Sequence, residues 1–124
     1  MANEVAPLFR PGHQISVVAD GADITGGTFV TVSDGRGADG VIKVATASAG
    51  GAAFGVAASD IKKDGIGSVI REGVVPVAAT GQISAGGLVE VGANGTAVAN
   101  SSGVAVGMAV DDAADGVVFV ALSL

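Results

Sequence analysis

The chain has 124 residues, 12 acidic and 6 basic side chains and a net charge of −6, with no cysteine and a single histidine. The missing cysteines exclude disulfides, thiolate nucleophiles and most structural zinc sites. A nucleic-acid-binding protein needs a basic surface that neutralises phosphates, so the acidic charge argues against a nucleic-acid partner. The length fits one domain with a modest core.

The first 13 residues differ in composition from the rest of the chain. Two prolines prevent a helix there and favour extended backbone at the residues before them. We interpret residues 1–13 as an extended N-terminal arm that contacts a partner protein or a neighbouring subunit through apolar anchors and one cation. The alternative is that the arm packs on its own oligomer. The contact residues of this hypothesis are Pro7, Leu8, Phe9 and Arg10.

From Gln14 onward, short runs rich in valine, isoleucine and phenylalanine alternate with glycine, aspartate, asparagine and serine. Runs of this length, bounded by turn residues, predict β-strands. We therefore expect residues 14–124 to form a single all-β domain, a compact small β-barrel or sandwich. The pair Asn94-Gly95 predicts a hairpin, and only residues 59–64 predict a short helical turn. The clearest strand runs are 15–19, 28–32, 41–44, 68–71, 88–91 and 117–120.

The sequence also contains two pairs of similar segments. Residues 24–32 match residues 83–91 at an offset of 59, which is 83 − 24, and residues 54–57 match residues 106–109 at an offset of 52, which is 106 − 54. Two blocks in the same order predict an internal duplication, about 14–72 and 73–124. Chance similarity in a glycine-rich chain is the alternative.

The duplication assigns equivalent positions in the two copies. Val30 and Val89 become equivalent core sites, as do Val56 and Met108. The period-two pattern places Thr31 and Glu90, the neighbours of Val30 and Val89, on the outer face. The first copy is longer, and the role of its extra residues within 33–53 is open.

No motif in the sequence supports catalysis or metal binding. His13 is the only imidazole and lies in a Pro/Gly-rich segment that offers it no partner, and Asp111, Asp112 and Asp115 do not have the spacing of a calcium loop. Residues 35–40 spell G-x-G-x-x-G, but a strand pattern follows where a dinucleotide site needs a helix, so we interpret them as a hairpin loop. We expect a protein that is not an enzyme and has no metal or cofactor site.

The repeated blocks resemble those of the small capsid decoration (cement) proteins of tailed bacteriophages, over about residues 14–124. The residues that carry the resemblance are Ile24, Thr25, Gly26, Gly27, Val30, Val32, Phe54, Gly55, Val56, Ala57, Ile83, Ser84, Ala85, Gly86, Gly87, Val89, Val91, Val106, Gly107, Met108 and Ala109. The resemblance implies a virion protein that binds the outer surface of an assembled capsid. There it would act as a homotrimer and stabilise contacts between capsomers of the major capsid protein.

Composition agrees with an oligomer, because a core of valine and alanine with few aromatic residues gains stability from further burial. We expect no membrane partner, since polar residues and glycine interrupt the longest uncharged stretch, residues 91–110. The N-terminus lacks signal-peptide features, which predicts synthesis in the host cytoplasm. The alternative function is a non-catalytic surface or fibre-type β module that binds a ligand through its loops. It would favour a signal peptide, exposed aromatic residues and longer loops.

Overall fold

A computed structural model describes residues 13–124, which form ten β-strands, one short 3-10 turn and no α-helix within that range. The expectation of an all-β fold is confirmed. The strands are β1 Gln14–Ala19, β2 Phe29–Arg36, β3 Ile42–Thr46, β4 Gly55–Ala57, β5 Ile66–Ile70, β6 Val74–Ala78, β7 Leu88–Val91, β8 Ala97–Ala99, β9 Gly107–Ala109 and β10 Val117–Leu122.

Strands β1 to β5 close into a barrel in the order β1-β3-β2-β4-β5. β1 pairs in parallel with β3 and antiparallel with β5, and the remaining pairs are antiparallel. Alternation along β1 turns Ile15, Val17 and Ala19 inward. We call the buried cluster inside this barrel the first core; it comprises Ile15, Val17, Ala19, Ile24, Val30, Val44, Ala57, Ile61 and Val69.

Strands β6 to β10 form a second sheet in the order β6-β10-β9-β7-β8. Pro76 lies in β6 at the edge of this sheet, where a missing backbone N–H removes no ladder bond to a further strand. A single parallel bridge, Ala79 with Ala97, links the two ends of the sheet. The barrel of strands β1 to β5 has an equivalent order when it is followed in the direction β1-β5-β4-β2-β3, so that β1 corresponds to β6 and β3 to β8. The β1–β3 pair that closes the barrel is parallel, like the bridge between Ala79 and Ala97.

Matched hydrogen bonds recur in the two parts of the chain. Gly26 N donates to Asp60 Oδ1 and Ala85 N donates to Asp112 Oδ1, both at 2.8 Å. The backbone bond from Gly27 N to Ala57 O, 2.9 Å, has a counterpart from Gly86 N to Ala109 O, 2.7 Å. The internal duplication stays a prediction, which these matched contacts support. We refer to residues 13–72 as the first half and residues 73–124 as the second half.

The two halves share a buried cluster, the second core. Phe29, Ala47 and Val56 of the first half belong to it together with residues of the second sheet. Backbone hydrogen bonds from Ala78 N to Gly27 O and from Gly50 N to Val91 O, both 2.8 Å, join the halves. The second-half members of the cluster are Val75, Val77, Ile83, Val89, Val91, Ala97, Val106, Ala109, Val118 and Val120.

The two loop interpretations are confirmed. Ala93–Gly95 forms the 3-10 turn between β7 and β8, with Asn94 at φ 60° in the left-handed region that asparagine tolerates. Residues 37–41 connect β2 to β3, with a hydrogen bond of 2.9 Å from Gly37 N to Val41 O, and no helix follows.

Three other expectations are wrong. Residues 59–64 form no helical turn, because Ile61 is buried and pairs with Ile24 across an isolated β-bridge. Glu90 is not exposed to solvent: it lies on the outer side of β7 by alternation, but it is 7% exposed, because a loop packs over it and hydrogen-bonds to its carboxylate. Met108 is 46% exposed, although Val56 is buried, because Val56 lies against the other half of the chain and no described residue covers Met108 in that way.

Candidate interaction surface

The predicted contact residues of the arm, Pro7, Leu8, Phe9 and Arg10, lie outside the described residues, and their role stays a prediction. His13 begins the described part of the chain and its side chain is exposed. Its carbonyl oxygen accepts a hydrogen bond of 2.8 Å from Arg71 N, which extends the β1–β5 pairing by one residue. His13 therefore belongs to the folded body through its backbone.

Two of the three aspartates singled out in the sequence, Asp112 and Asp115, lie in structured turns. Asp112 accepts a backbone hydrogen bond from Ala85, and Asp115 adopts a positive φ of 55° in the turn before β10. Among residues 13–124, no group of three or more histidine, aspartate and glutamate side chains could hold a metal ion. The same part of the chain contains no helix with the length and hydropathy to cross a membrane.

The outer face of the second sheet carries an apolar row that runs across four strands. Val74 of β6 is in register with Ala121 of β10, Ala121 with Met108 of β9, and Met108 with Leu88 of β7. The large members of the row are about half exposed: Val74 55%, Leu88 49% and Met108 46%. Residues directly opposite one another on one face of a sheet touch, so these side chains form a continuous strip.

A second apolar row lies beside the first. Phe119 of β10 is in register with Pro76 of β6, and Val110 N donates a 3.0 Å hydrogen bond to Phe119 O. Phe119 and Val110 are both exposed. An open depression of about 310 Å³ lies along the strip and is lined by Leu88, Met108 and Leu122 among others. We call the two rows together the outer apolar face.

Sequence reasoning missed this face because it assigned Met108 to the core. The signal was present in the strand β10, Val117–Leu122, where every residue is apolar. A strand with only one buried face should alternate apolar and polar residues. Continuous apolar character is typical of a strand whose two faces are both buried, whereas one face of β10 is exposed in the single chain.

Glu90 organises the loop that follows β8. Its Oε1 accepts hydrogen bonds from Ser101 N at 2.6 Å, Gly103 N at 3.1 Å and Asn100 Nδ2 at 3.2 Å. The loop meets the first half at Gly103, where an added Cβ would lie 2.6 Å from Gly50 Cα. The carboxylate thus holds a loop that packs against the other half.

These bonds stabilise the charged form of the carboxylate. The backbone N–H groups of Ser101 and Gly103 lower the pKa of Glu90 below its ordinary value of 4.5, against a smaller opposing effect of burial. Because the folded-state pKa lies below the unfolded-state pKa, the stabilisation is present above about pH 4.5 and is lost as the pH falls through the folded-state value.

We expect Glu90→Gln to lower the melting temperature at pH 7 by several degrees, because a neutral amide accepts these bonds more weakly than a carboxylate does. The difference from wild type should shrink when thermal melts are repeated below pH 4. Thr31→Val, at the matched position of β2, is the control and should change the melting temperature little. A Glu90→Gln deficit that stays constant from pH 7 to pH 3 would contradict the role of the charge.

The structure thus defines a small β-protein with carboxylates used to hold loops and with an uncovered apolar face, a feature of proteins that bind other proteins. The sequence matches the phage cement protein family over residues 9–124, and the chain belongs to this family. It is therefore a structural phage protein associated with the capsid.

Four chains of solved structures match this protein. One is the N base of the head fiber gp8.5 of bacteriophage phi29, with a TM-score of 0.73 and 24% sequence identity, over 89% of this chain and 94% of that chain. At this identity the likeness establishes the fold. No curated protein matches the sequence.

Proposed function

We propose that this protein is a decoration protein that binds the outer surface of an assembled phage capsid and stabilises contacts between capsomers of the major capsid protein. The observation that carries the proposal is the match to the cement family over residues 9–124; the outer apolar face adds a surface for contact with another protein, the capsid or a second copy. Apolar side chains exposed across four strands lose solvent contact only when another protein covers them, and burying them is worth roughly 25 cal/mol per Å².

The proposal gives the protein no catalytic role. Its buried carboxylate, Glu90, is occupied by loop hydrogen bonds, and Asp60 and Asp112 accept backbone N–H groups at matched turns. Carboxylates that accept hydrogen bonds from backbone N–H groups stabilise the turns and loops that contain those groups. Their arrangement supports a structural function in the virion.

We propose that the protein acts as a homotrimer on the capsid, because weak contacts gain strength from multivalency. Three identical contacts on one rigid body act at a high effective concentration, so the avidity can exceed a single contact by about 10²–10⁴-fold. A trimer therefore holds neighbouring capsomers together even where each chain binds weakly. Within the trimer, the arm residues Pro7, Leu8, Phe9 and Arg10 are the proposed contact with the capsid.

Mixing the protein with undecorated heads of its own phage tests the proposal. We expect the full chain to co-sediment with the heads and a variant lacking residues 2–12 to bind at least ~10²-fold more weakly. The melting temperature should change little, because the strand pairs that close the barrel lie within residues 13–124. The truncation stops before His13, which bonds to Arg71.

Leu8→Ser combined with Phe9→Ser is the matched variant, because it keeps the length and the charge of the arm. If the truncated protein decorates heads with wild-type affinity, the arm is not the contact. If it loses its folded state, the arm packs on its own oligomer. Failure of the full chain to bind heads would contradict the decoration function itself.

The second candidate is a fibre-type β module that binds a ligand through its loops. The observation that favours this second candidate is the similarity of the fold to the base of a head fiber. It predicts that the chain does not coat undecorated heads uniformly, which electron microscopy of the mixture distinguishes directly.

A further inference from the structure

We propose that the outer apolar face of the second half binds the first half of a second copy of this chain. The inference rests on the homotrimer in the proposed function and names the contact that forms it. Its argument begins from the strand register, which places a matching row of residues on the first half.

The first half has a row at the equivalent position. Gln14 of β1 is in register with Ile70 of β5, Ile70 with Val56 of β4, and Val56 with Phe29 of β2. This row is the counterpart of Val74, Ala121, Met108 and Leu88, strand for strand. The two rows therefore occupy the same place on two sheets of the same order.

The two rows differ in what covers them. Phe29 and Val56 are buried at 0% and 1% exposure within the second core, and Ile70 packs against the same cluster. The second half of the chain thus covers Phe29 and Val56 and packs against Ile70, while Gln14 at the end of the row is exposed. The corresponding row of the second half has equally apolar side chains, and no described residue covers it.

Exposed apolar side chains are concentrated in the second half. Of the ten large hydrophobic residues that are exposed within residues 13–124, eight lie after position 72. Only Val32 and Ile66 belong to the first half. An uneven distribution of this kind fits a molecule that repeats along an assembly, with one end of each copy covered by the next.

Charge favours the first half over a second half as the occupant, because only the first half carries basic side chains. Every basic side chain of the protein lies at or before Arg71, and the charged residues after Glu72 are all acidic; residues 13–72 carry seven acidic and five basic side chains. A contact between two second halves would bring acidic surfaces together, whereas a contact with the first half places acidic residues near basic ones. The contact is therefore heterologous, and a heterologous contact that closes gives a ring such as a trimer.

Within the chain, the β7–β8 turn shows how one half reaches the other. Gly95 in this turn approaches the first half so closely that an added Cβ would lie 2.8 Å from Phe29 O. Its counterpart in the first half is the β2–β3 hairpin, which is longer and carries Arg36 and Lys43 together with Asp34 and Asp39. We assign this hairpin as the segment that reaches the outer apolar face of the next copy.

Light scattering on the purified protein, without capsid, tests the contact. We expect the wild type to form a species of about 35 kDa, three chains of 11.7 kDa. Met108→Asp should raise the dissociation constant about 30-fold or more. Val104→Asp is the control, because Val104 is similarly exposed in the same half, in a loop bonded to Gly50 of the first half.

Circular dichroism verifies that each variant is folded, and Leu88→Asp replaces Met108→Asp if the latter is not. Arg36→Glu tests the opposite side of the contact and should also weaken association. A mixture of Met108→Asp and Arg36→Glu chains should form heterodimers, because one intact contact remains between them.

A monomeric wild type, or Met108→Asp chains that associate as the wild type does, would overturn the inference. If Met108→Asp remains a trimer but no longer binds heads, the face belongs to the capsid and the inference is wrong, while the decoration function stands. If the trimer forms as expected but does not bind heads, only the decoration function fails.

Discussion

Val30→Asp and Val89→Asp are each expected to prevent the chain from reaching its folded state. Both valines have no exposed surface; Val30 lies in the first core and Val89 in the second. An unpaired carboxylate at such a position costs several kcal/mol, and the whole stability of a domain is about 5–15 kcal/mol. Far-ultraviolet circular dichroism and thermal melts measure the effect.

Val32→Asp is the matched control, because it makes the same replacement two residues along β2, where the side chain is 42% exposed. We expect it to cost under about 1 kcal/mol. Similar losses for Val30→Asp and Val32→Asp would show that the assigned register of β2 is wrong. If Val89→Asp folds while Val30→Asp does not, the second core accommodates a charged side chain at position 89.

Much of the fold follows from the spacing of apolar residues and turn residues. The runs at 15–19, 88–91 and 117–120 lie in strands, and the run at 28–32 lies in β2 from Phe29 onward, because glycine and aspartate at the ends of an apolar run specify strand length. β6 was missed because Pro76 argues against a strand, and the edge position that accommodates it is a property of the sheet.

The environment of individual residues was harder to predict. Glu90 follows the alternation of an outward residue, yet a loop ten residues further along the chain folds over it and supplies its hydrogen-bond donors. The residues next to Glu90 in the sequence do not indicate that a later loop packs over its side chain. The same limit applies to Met108, whose exposure depends on which half of the chain packs on which.

The candidate surface shows why positions that the predicted duplication makes equivalent need not share an environment. A duplicated sequence predicts two similar sheets, but only one of the two outer rows is covered within a single chain. The other row is left for a neighbour, and the sequence of one chain does not state which neighbour. The arm residues Pro7 to Arg10 remain a prediction of the same kind, since their partner lies outside the chain.

Phe29 and Leu88 give the sharpest comparison between the two rows, because they occupy equivalent positions in β2 and β7. Phe29→Ala should destabilise the isolated chain by about 3–5 kcal/mol, since it empties a fully buried site between the halves. Leu88→Ala should cost the isolated chain under about 0.5 kcal/mol, since its side chain is half exposed.

Denaturant unfolding at concentrations low enough to keep the chain monomeric measures both free energies, and light scattering at high concentration measures association. Leu88→Ala should then weaken the trimer while leaving the stability of the monomer unchanged. Phe29→Ala should destabilise the monomer while leaving the association of folded chains unchanged, at temperatures where it still folds. Equal destabilisation of the monomer by both changes would mean that Leu88 is covered within its own chain. In that case the two rows are buried alike, and the outer apolar face is not available to a second copy.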